Sequence, residues 1–301
     1  MPLSHLLLAL AVVAVWGTNF VVIKWGLAEL PPLLFTTLRF ALSAFPLLLF
    51  IKRPAVPWHK LAGFGALHGL GLFGLMLYAM RADISPGLAS LVIQTQVFFT
   101  IVLAMLLDGE RPRLLQALAL GLAVAGMALI AGHIDQHSIT VLGLVLVLTA
   151  ALCWAGANMV ARSVGRVDML GFMVWISVFA APALAVLSLL IEGPARIATS
   201  LSQASAGAWA AVAWQALGNT LFGYGAWNWL LARHPAATVA PAALLVPVFG
   251  MAASSLLLGE SLPGWKLGAT ALVLGGLALN TLASRASRTA IATRRFTETV
   301  S

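Results

Sequence analysis

A few polar side chains stand within long apolar stretches of the sequence, and they are the groups with which this chain could do chemistry. Trp16, Asn19 and Phe20 have the i, i+3, i+4 spacing of one helical face. The amide of Asn19 both donates and accepts hydrogen bonds, so it suits a ligand that carries an ammonium and a carboxylate group. Its alternative role is an interhelical hydrogen bond. Trp154 and Asn158 repeat this combination later in the chain, which favours a shared cavity.

Two further stretches carry amides. Ser90 and Gln94 lie four residues apart and form a polar stripe on one helical face. Gln96 points away from that stripe, so at least one of the two glutamines is predicted to be structural. Asn219 and Trp227 share a face further along the chain and are candidates for the same cavity.

Three other residues in apolar stretches have open roles. His68 could act as a proton switch, although a histidine hydrogen-bonded to a neighbouring helix is the commoner case. Tyr78 could line an exit or anchor the helix end. Arg39 either extends to the surface or attracts an anionic group. The candidate binding residues are Trp16, Asn19, His68, Tyr78, Ser90, Gln94, Trp154, Asn158, Asn219 and Trp227.

No carboxylate lies in the middle of an apolar stretch. All nine Asp and Glu residues fall in connectors, at the ends of the stretches or in the tail. Proton-coupled carriers often use a buried carboxylate as a relay. Its absence argues against such a relay and against a pocket for hydrophobic cations.

Several apparent motifs lack the context that they need. Gly69, Gly71 and Gly74 match a dinucleotide fingerprint, but no strand precedes them, and close helix packing explains them better. His133 and His137 have metal-like spacing without a further ligand. The sequence therefore predicts no catalytic residue, no metal and no cofactor.

The elements that must position these side chains are apolar helices. Of 301 residues, 61% are hydrophobic and only 9% are charged, whereas soluble domains have roughly 25% charged residues. The apolar blocks have about the 20 residues needed to cross a bilayer. An all-α membrane protein with ten spans is predicted, at Ser4–Lys24, Pro32–Ile51, Leu61–Met80, Pro86–Leu107, Leu114–Gly132, Ile139–Arg162, Met169–Ile191, Gly207–Leu231, Pro235–Leu258 and Leu262–Ala283.

The net charge of +8 is distributed as in a membrane protein. No basic face is interleaved with aromatic residues, which argues against a nucleic-acid partner. Twelve of the 17 Lys and Arg residues fall on one side of the predicted spans and four on the other. Because basic loops favour the cytoplasm, both termini are predicted to be cytoplasmic.

Met1–His5 carries no Lys or Arg, so the first block is taken as a retained span rather than a signal peptide.

The chain repeats itself. Phe99 to Leu129 aligns with Phe249 to Leu279 at a displacement of 150 positions, and Glu110 falls on Glu260. Five spans per unit is an odd number, so the second unit must enter the membrane from the opposite side. The predicted units are residues 1–135 and 136–284, followed by a basic tail, 285–301, that meets anionic lipid headgroups.

Five segments carry a resemblance to a known family. They are WGTNFVVIKWGL (Trp16–Leu27), PPLLFTTLRFALSAFPLL (Pro31–Leu48), GLASLVIQTQVFFTIVLA (Gly87–Ala104), GER (Gly109–Arg111) and LLVPVFGMAASSLLLGE (Leu244–Glu260). With them the chain resembles the EamA family of the drug/metabolite transporter superfamily, most of all the bacterial O-acetylserine/cysteine exporters. The resemblance implies a ten-helix inner-membrane carrier with a central cavity that exports amino acids and related metabolites.

The expected function is therefore export of small metabolites from a bacterial cytoplasm by alternating access. The expected partners are a small-molecule substrate and membrane lipids. An efflux carrier for drugs or other metabolites is the alternative within transport. An intramembrane enzyme and a structural membrane subunit are the alternatives from other classes.

Overall fold

The computed structural model describes residues 1–45, 47–108, 114–134, 138–165, 167–234 and 236–300. These residues form helices and connectors, and their only β pairing is an isolated bridge between Ile84 and Ile139. The main helices are α1 (Leu3–Leu27), α2 (Pro32–Ala44), α3 (Trp58–Ala82), α4 (Pro86–Leu107), α5 (Leu114–Ala131), α6 (Val141–Val164), α7 (Met169–Ile191), α8 (Pro194–Gln203), α9 (206–233), α10 (Pro241–Leu258) and α11 (Gly264–Val300). A single helical turn, Ala236–Val239, precedes α10.

Nine helices of the described chain are long and apolar enough to cross a membrane. They are all but α8 and α9; α2 counts together with the 3₁₀ turn that follows it, and α11 counts as far as Ala283. The expected eighth span coincides with α9, a continuous helix that is rich in Trp, Gly, Gln and Asn and is not among the nine. The predicted all-helical membrane fold is confirmed.

Helix starts follow from local sequence. Pro32 and Pro86 occupy first-turn positions of α2 and α4, where a missing N–H costs nothing and the fixed φ suits a helix. Thr140 and Asp168 cap α6 and α7 by accepting hydrogen bonds from backbone N–H groups of the first turn. The bounds of these helices are thus encoded by short-range chemistry.

Four helices depart from α geometry. Residues Ala66–Gly74 of α3 and Trp214–Phe222 of α9 form π-helical turns. Ile93–Thr95 of α4 and Ala240–Leu245, at the start of α10, form 3₁₀ turns. Such irregularities change which side chains face a neighbour and are frequent at functional sites.

The helices pack in a recurrent set of pairs. α1 lies against α10, and α6 lies against α4; α2 packs on α7, and α5 packs on α11. The end of the bundle at which α1, α3, α7 and α10 finish is called the carboxylate end here, since it holds Glu29, Asp83, Glu192 and Glu260. The opposite end, which holds the N-terminus and the end of α9, is called the amino-terminal end.

Gly17 allows the close crossing of α1 and α10. A Cβ atom at this position would lie 2.5 Å from Cβ of Phe249 and 2.6 Å from the carbonyl oxygen of Val246. We expect Gly17→Val to lower the thermal unfolding midpoint of the detergent-solubilised protein by several degrees, because overpacking costs about 1–3 kcal/mol. Gly121→Val is the matched control, since nothing lies within 4 Å of a Cβ atom there. Equal midpoints for the two variants would refute this explanation of the crossing.

Candidate functional site

A cavity of about 370 Å³ lies among the helices. Its wall is formed by α1, α3, α4, α6, α7, α9 and the start of α10. The described part of the wall contains amides, one imidazole, one phenol and many apolar side chains, but no carboxylate. Its volume falls within the range of small-molecule sites.

Eight of the ten candidate residues line this cavity: Trp16, Asn19, His68, Gln94, Trp154, Asn158, Asn219 and Trp227. The other two do not. Tyr78 lies on the exterior with 38% of its surface exposed. Ser90 is fully buried, and its hydroxyl donates to the carbonyl oxygen of Gly87 at 2.6 Å.

Gln96 also lines the cavity, although the sequence suggested that it points away from Gln94. The 3₁₀ turn Ile93–Thr95 explains the difference. Two residues apart on an α-helix are separated by about 160° around the axis, whereas a 3₁₀ turn reduces this angle to about 120°. Both glutamines therefore face the same space.

Asn19 belongs to a buried polar network that links three helices. Its Nδ2 donates to Oε1 of Gln215 at 3.3 Å, and Nε2 of Gln215 donates back to Oδ1 of Asn19 at 2.6 Å. Nη1 of Arg39 donates to the same Oε1 of Gln215 at 3.1 Å. Asn19 thus has both roles that the sequence left open, because it lines the cavity and also joins α1 to α9.

Asn158 forms the corresponding contact on the other side of the cavity. Its Nδ2 donates to Oε1 of Gln96 at 2.8 Å and to Oγ1 of Thr100 at 3.3 Å. These bonds join α6 to α4. Two asparagine–glutamine pairs therefore face one cavity, one on α1 with α9 and one on α6 with α4.

His68 lies in the π turn of α3 and is 2% exposed. Neither of its ring nitrogens has a hydrogen-bond partner within the described structure, so the commoner case of a tie to a neighbouring helix is not observed. Its ring packs edge-on against Phe73 at 5.1 Å and is tilted against Phe64 at 5.1 Å. An unpaired imidazole at a cavity wall is available to a ligand.

Aromatic side chains surround the amides. The Trp16 ring lies 5.6 Å from Tyr224 and 5.2 Å from Trp227, and its Nε1 donates to the carbonyl oxygen of Asn219 at 3.2 Å. Gly223 leaves the room that this indole occupies. Tyr224 also lines the cavity, although from the sequence only Asn219 and Trp227 were selected on this helix. Its position about one turn before Trp227 was the available signal.

Hydrogen bonds close the carboxylate end of the bundle. Glu192 accepts from the backbone N–H groups of Leu33 at 2.7 Å and Leu34 at 2.9 Å, which caps α2. Glu29 accepts from the N–H and the hydroxyl of Ser205, each at 2.7 Å. These bonds lower the pKa of Glu29 below its ordinary value. Each carboxylate thus caps the start of a helix distant in sequence.

Glu260 makes the most extensive of these contacts. It follows Gly259, whose left-handed φ of 68° ends α10. Its carboxylate accepts from the N–H of Gly87 at 3.0 Å, from Nζ of Lys266 at 3.0 Å, and from the hydroxyls of Ser85 and Ser254. Burial alone raises the pKa of Glu260, but these hydrogen bonds and the Lys266 charge together bring it below its ordinary value.

The cavity extends away from this closed end. Its wall reaches Ala161 at the end of α6, Met169 at the start of α7 and Leu231 near the end of α9. Described bonds at this end include Nζ of Lys60 with the carbonyl oxygen of Ser163 at 2.9 Å and Nε1 of Trp175 with the carbonyl oxygen of Ile51 at 3.1 Å. Glu110, which the repeat aligns with Glu260, lies outside the described residues.

The arrangement suits non-covalent binding of a small polar molecule. Among the described residues no group of three or more His, Cys, Asp or Glu side chains could hold a metal ion. Nδ1 of His133 contacts the carbonyl oxygen of Leu129, and its ring stacks on Trp265; His137 is not among the residues described. The fold and the cavity define a helical integral membrane protein with a ligand-sized space between its helices.

Comparison with known proteins agrees with this class. A model of the EamA-like transporter family matches residues 3–132 and 141–282, and the chain belongs to that family. The resemblance found in the sequence is therefore confirmed.

Two curated relatives cover almost the whole chain. One, from Salmonella typhimurium, is described as a "Probable amino-acid metabolite efflux pump"; it is 39% identical, and the match covers 94% of this chain and 96% of that protein. A protein of the same description from Escherichia coli (strain K12) is 38% identical, with coverage of 92% and 95%. A solved crystal structure shares the fold, with a TM-score of 0.61 at 20% identity over 95% of this chain and 99% of the other.

Proposed function

We propose that this protein is a secondary carrier that exports amino acids and related metabolites by alternating access. The observation that carries the proposal is the cavity flanked by two asparagine–glutamine pairs, Asn19 with Gln215 and Asn158 with Gln96. Neutral amides provide both donors and acceptors for a zwitterion. The description of the relatives as amino-acid metabolite efflux pumps supports this substrate class.

We further propose ten spans arranged as two inverted units, 1–135 and 136–284, with α9 as the eighth span, added to the nine long apolar helices. The irregular turns support this, because π turns occur in the third and eighth spans and 3₁₀ turns in the fourth and ninth. The first span, α1, packs on the ninth, α10, and the sixth span, α6, packs on the fourth, α4. A two-fold axis in the membrane plane would relate these two contacts to each other. The family model also matches the chain in two segments.

In this arrangement both termini are cytoplasmic, and the carboxylate end faces outward. The distribution of Lys and Arg supports the orientation. We infer an inward-facing state. Its support is that the bonds of Glu29, Glu192 and Glu260 join the two units at the proposed outer side, whereas the cavity extends toward the proposed cytoplasmic side. Rocking of one unit against the other would break these bonds and form their counterparts at the inner side.

Flux through the purified protein tests the function. Proteoliposomes are loaded with labelled amino acids, and efflux is measured against protein-free vesicles and vesicles that contain an unrelated carrier. Saturable efflux of at least one amino acid is expected. Absence of efflux for the whole panel, with and without a pH gradient, would contradict the carrier and favour an enzyme or a structural subunit.

Cysteine labelling tests the inverted topology. The chain has a single cysteine, Cys153, so Cys153→Ser provides the background for new cysteines. We expect Ser261→Cys to react with an impermeant maleimide in intact cells, and Glu110→Cys to react only after the membrane is permeabilised. Labelling of both positions from the same side would exclude inverted units.

A further inference from the structure

Arg39 is a buried cation that has no anionic partner in the described part of the chain. It lies in α2 and is 1% exposed, so it does not extend to the surface. The ion pair seen among the described side chains is between Lys266 and Glu260, and no described carboxylate pairs with Arg39. A guanidinium group stays charged at any accessible pH. Charged side chains within membrane spans are costly, and they commonly mark sites or pathways for a substrate or an ion.

The contacts of Arg39 solvate its charge but do not cancel it. Nη1 donates to Oε1 of Gln215 at 3.1 Å, and Nη2 donates to Oγ1 of Thr220 at 3.4 Å. Nε is buried and has no partner in the part of the chain described. The Cζ atom lies 3.6 Å from the ring centroid of Phe73, a cation–π contact. All of these partners are neutral.

The charge of Arg39 also sets the direction of the neighbouring amides. Because arginine only donates, the atom of Gln215 that it contacts must be the carbonyl oxygen. Gln215 then presents Nε2 to Oδ1 of Asn19 at 2.6 Å. The oxygen of Asn19 is thereby engaged, and an N–H of its amide remains for the cavity. Through Gln215, Arg39 thus orients the Asn19 amide so that it offers a hydrogen-bond donor to the cavity.

His68 adds a second donor on the same side. Phe73 contacts both side chains: its ring centroid lies 3.6 Å from Cζ of Arg39 and 5.1 Å from the imidazole centroid of His68. Both His68 and Phe73 line the cavity. His68 is 2% exposed, and both of its ring nitrogens lack hydrogen-bond partners among the described atoms. A neutral imidazole carries one N–H group, which would donate a hydrogen bond to an oxygen anion in the cavity.

We propose that Arg39, from behind the cavity wall, selects substrates by their carboxylate group, which binds against Asn19 and His68 and supplies a counter-charge that no described residue provides. This inference rests on the proposed function and names the feature of the substrate that the cavity recognises. The substrate class is small molecules with a free carboxylate and a neutral or zwitterionic remainder. An ammonium group, where present, meets the amides of Gln94 and Asn219 on the cavity wall. Amides, esters and decarboxylated amines lack the recognised group.

The test compares a carboxylic acid with its carboxamide as competitors. For the labelled amino acid that gives the largest flux in proteoliposomes, the concentrations of unlabelled acid and of its carboxamide that halve the flux are measured. We expect the wild-type protein to favour the acid about 10- to 100-fold, since a site built around a charged partner rejects an analogue without it. Arg39→Gln is expected to reduce the ratio to about one.

Gln215→Glu provides a second variant that retains the guanidinium group. The new carboxylate would replace the oxygen that accepts from Arg39 at 3.1 Å, so an internal ion pair would neutralise the charge. Its acid preference is also expected to disappear. Thr220→Val, which removes one hydrogen bond from Arg39 but no charge, is the matched control and is expected to keep the preference.

Equal competition by acid and carboxamide in the wild type would overturn the inference. So would a tenfold acid preference retained in Gln215→Glu or in folded Arg39→Gln. Failure of the proposed function has a different signature, which is the absence of flux for every amino acid. In that case the thermal shift of the purified protein with acid and with carboxamide decides the inference by itself: a larger shift with the acid, lost in Gln215→Glu, supports it, and equal shifts overturn it.

Discussion

Glu260→Ala is expected to lower the thermal unfolding midpoint of the detergent-solubilised protein by on the order of 10 °C. The Lys266 side chain is 1% exposed, and that of Glu260 is 10% exposed. Removal of one partner of a buried ion pair costs about 3–5 kcal/mol, because the other charge stays desolvated. The N–H of Gly87 and the hydroxyl of Ser85 lose their acceptor as well. The change is measured by circular dichroism during heating, or by a thermal-shift assay that uses no thiol-reactive dye.

The double variant Glu260→Gln/Lys266→Met separates charge from packing. It removes both ionic groups and is expected to recover most of the loss in the unfolding midpoint.

Acidification tests the same contact. The folded pKa of Glu260 lies below its ordinary value, so the ionised carboxylate stabilises the protein at neutral pH, and this contribution is lost as the pH falls through the folded pKa. The acid-induced decline should be smaller in the double variant. A single variant as stable as the wild type would refute the assigned role.

Asn19→Ala and Asn158→Ala are each expected to reduce flux in proteoliposomes about tenfold or more, while the chain remains inserted and folded. Each substitution removes an amide from the cavity wall and takes one hydrogen-bond partner from a glutamine, Gln215 or Gln96. Loss of a hydrogen bond at a binding site costs about 1–3 kcal/mol, and 1.4 kcal/mol is tenfold in affinity. Initial rates per reconstituted molecule measure the effect.

Matched controls lie on the same two helices. Thr18→Ala and Thr149→Ala remove hydroxyls that donate to backbone carbonyl oxygens of their own helices at 2.7 Å and 2.8 Å, and neither residue lines the cavity. Both should transport at wild-type rates. A purely structural role for the asparagines predicts a lower unfolding midpoint with an unchanged rate per folded molecule. Wild-type rates in both asparagine variants would remove these residues from the proposed site.

The helical membrane fold and much of the cavity wall could be predicted from the sequence. Polar side chains are rare in apolar spans and require a partner or a cavity, so Asn19, Asn158 and His68 were identifiable as candidates. Tyr78 and Ser90 could not be placed. A rotation of a few tens of degrees moves a side chain from the cavity to a helix contact or to the exterior, and periodicity does not resolve such a rotation. The direction of Gln96 could not be predicted either, because the local 3₁₀ turn Ile93–Thr95 rotates it toward the cavity.

The length of the apolar blocks and the scarcity of charge can be read from the sequence, and they identify this chain as a membrane protein. The family and the polar residues within the spans can be read from it too. Which of these polar groups contact one another is set by the tertiary structure. Arg39 and Gln215 are 176 positions apart in sequence, and Glu260 reaches Gly87 across 173. Contacts of this kind depend on how helices cross and rotate against one another, and those angles are set by packing of the whole bundle.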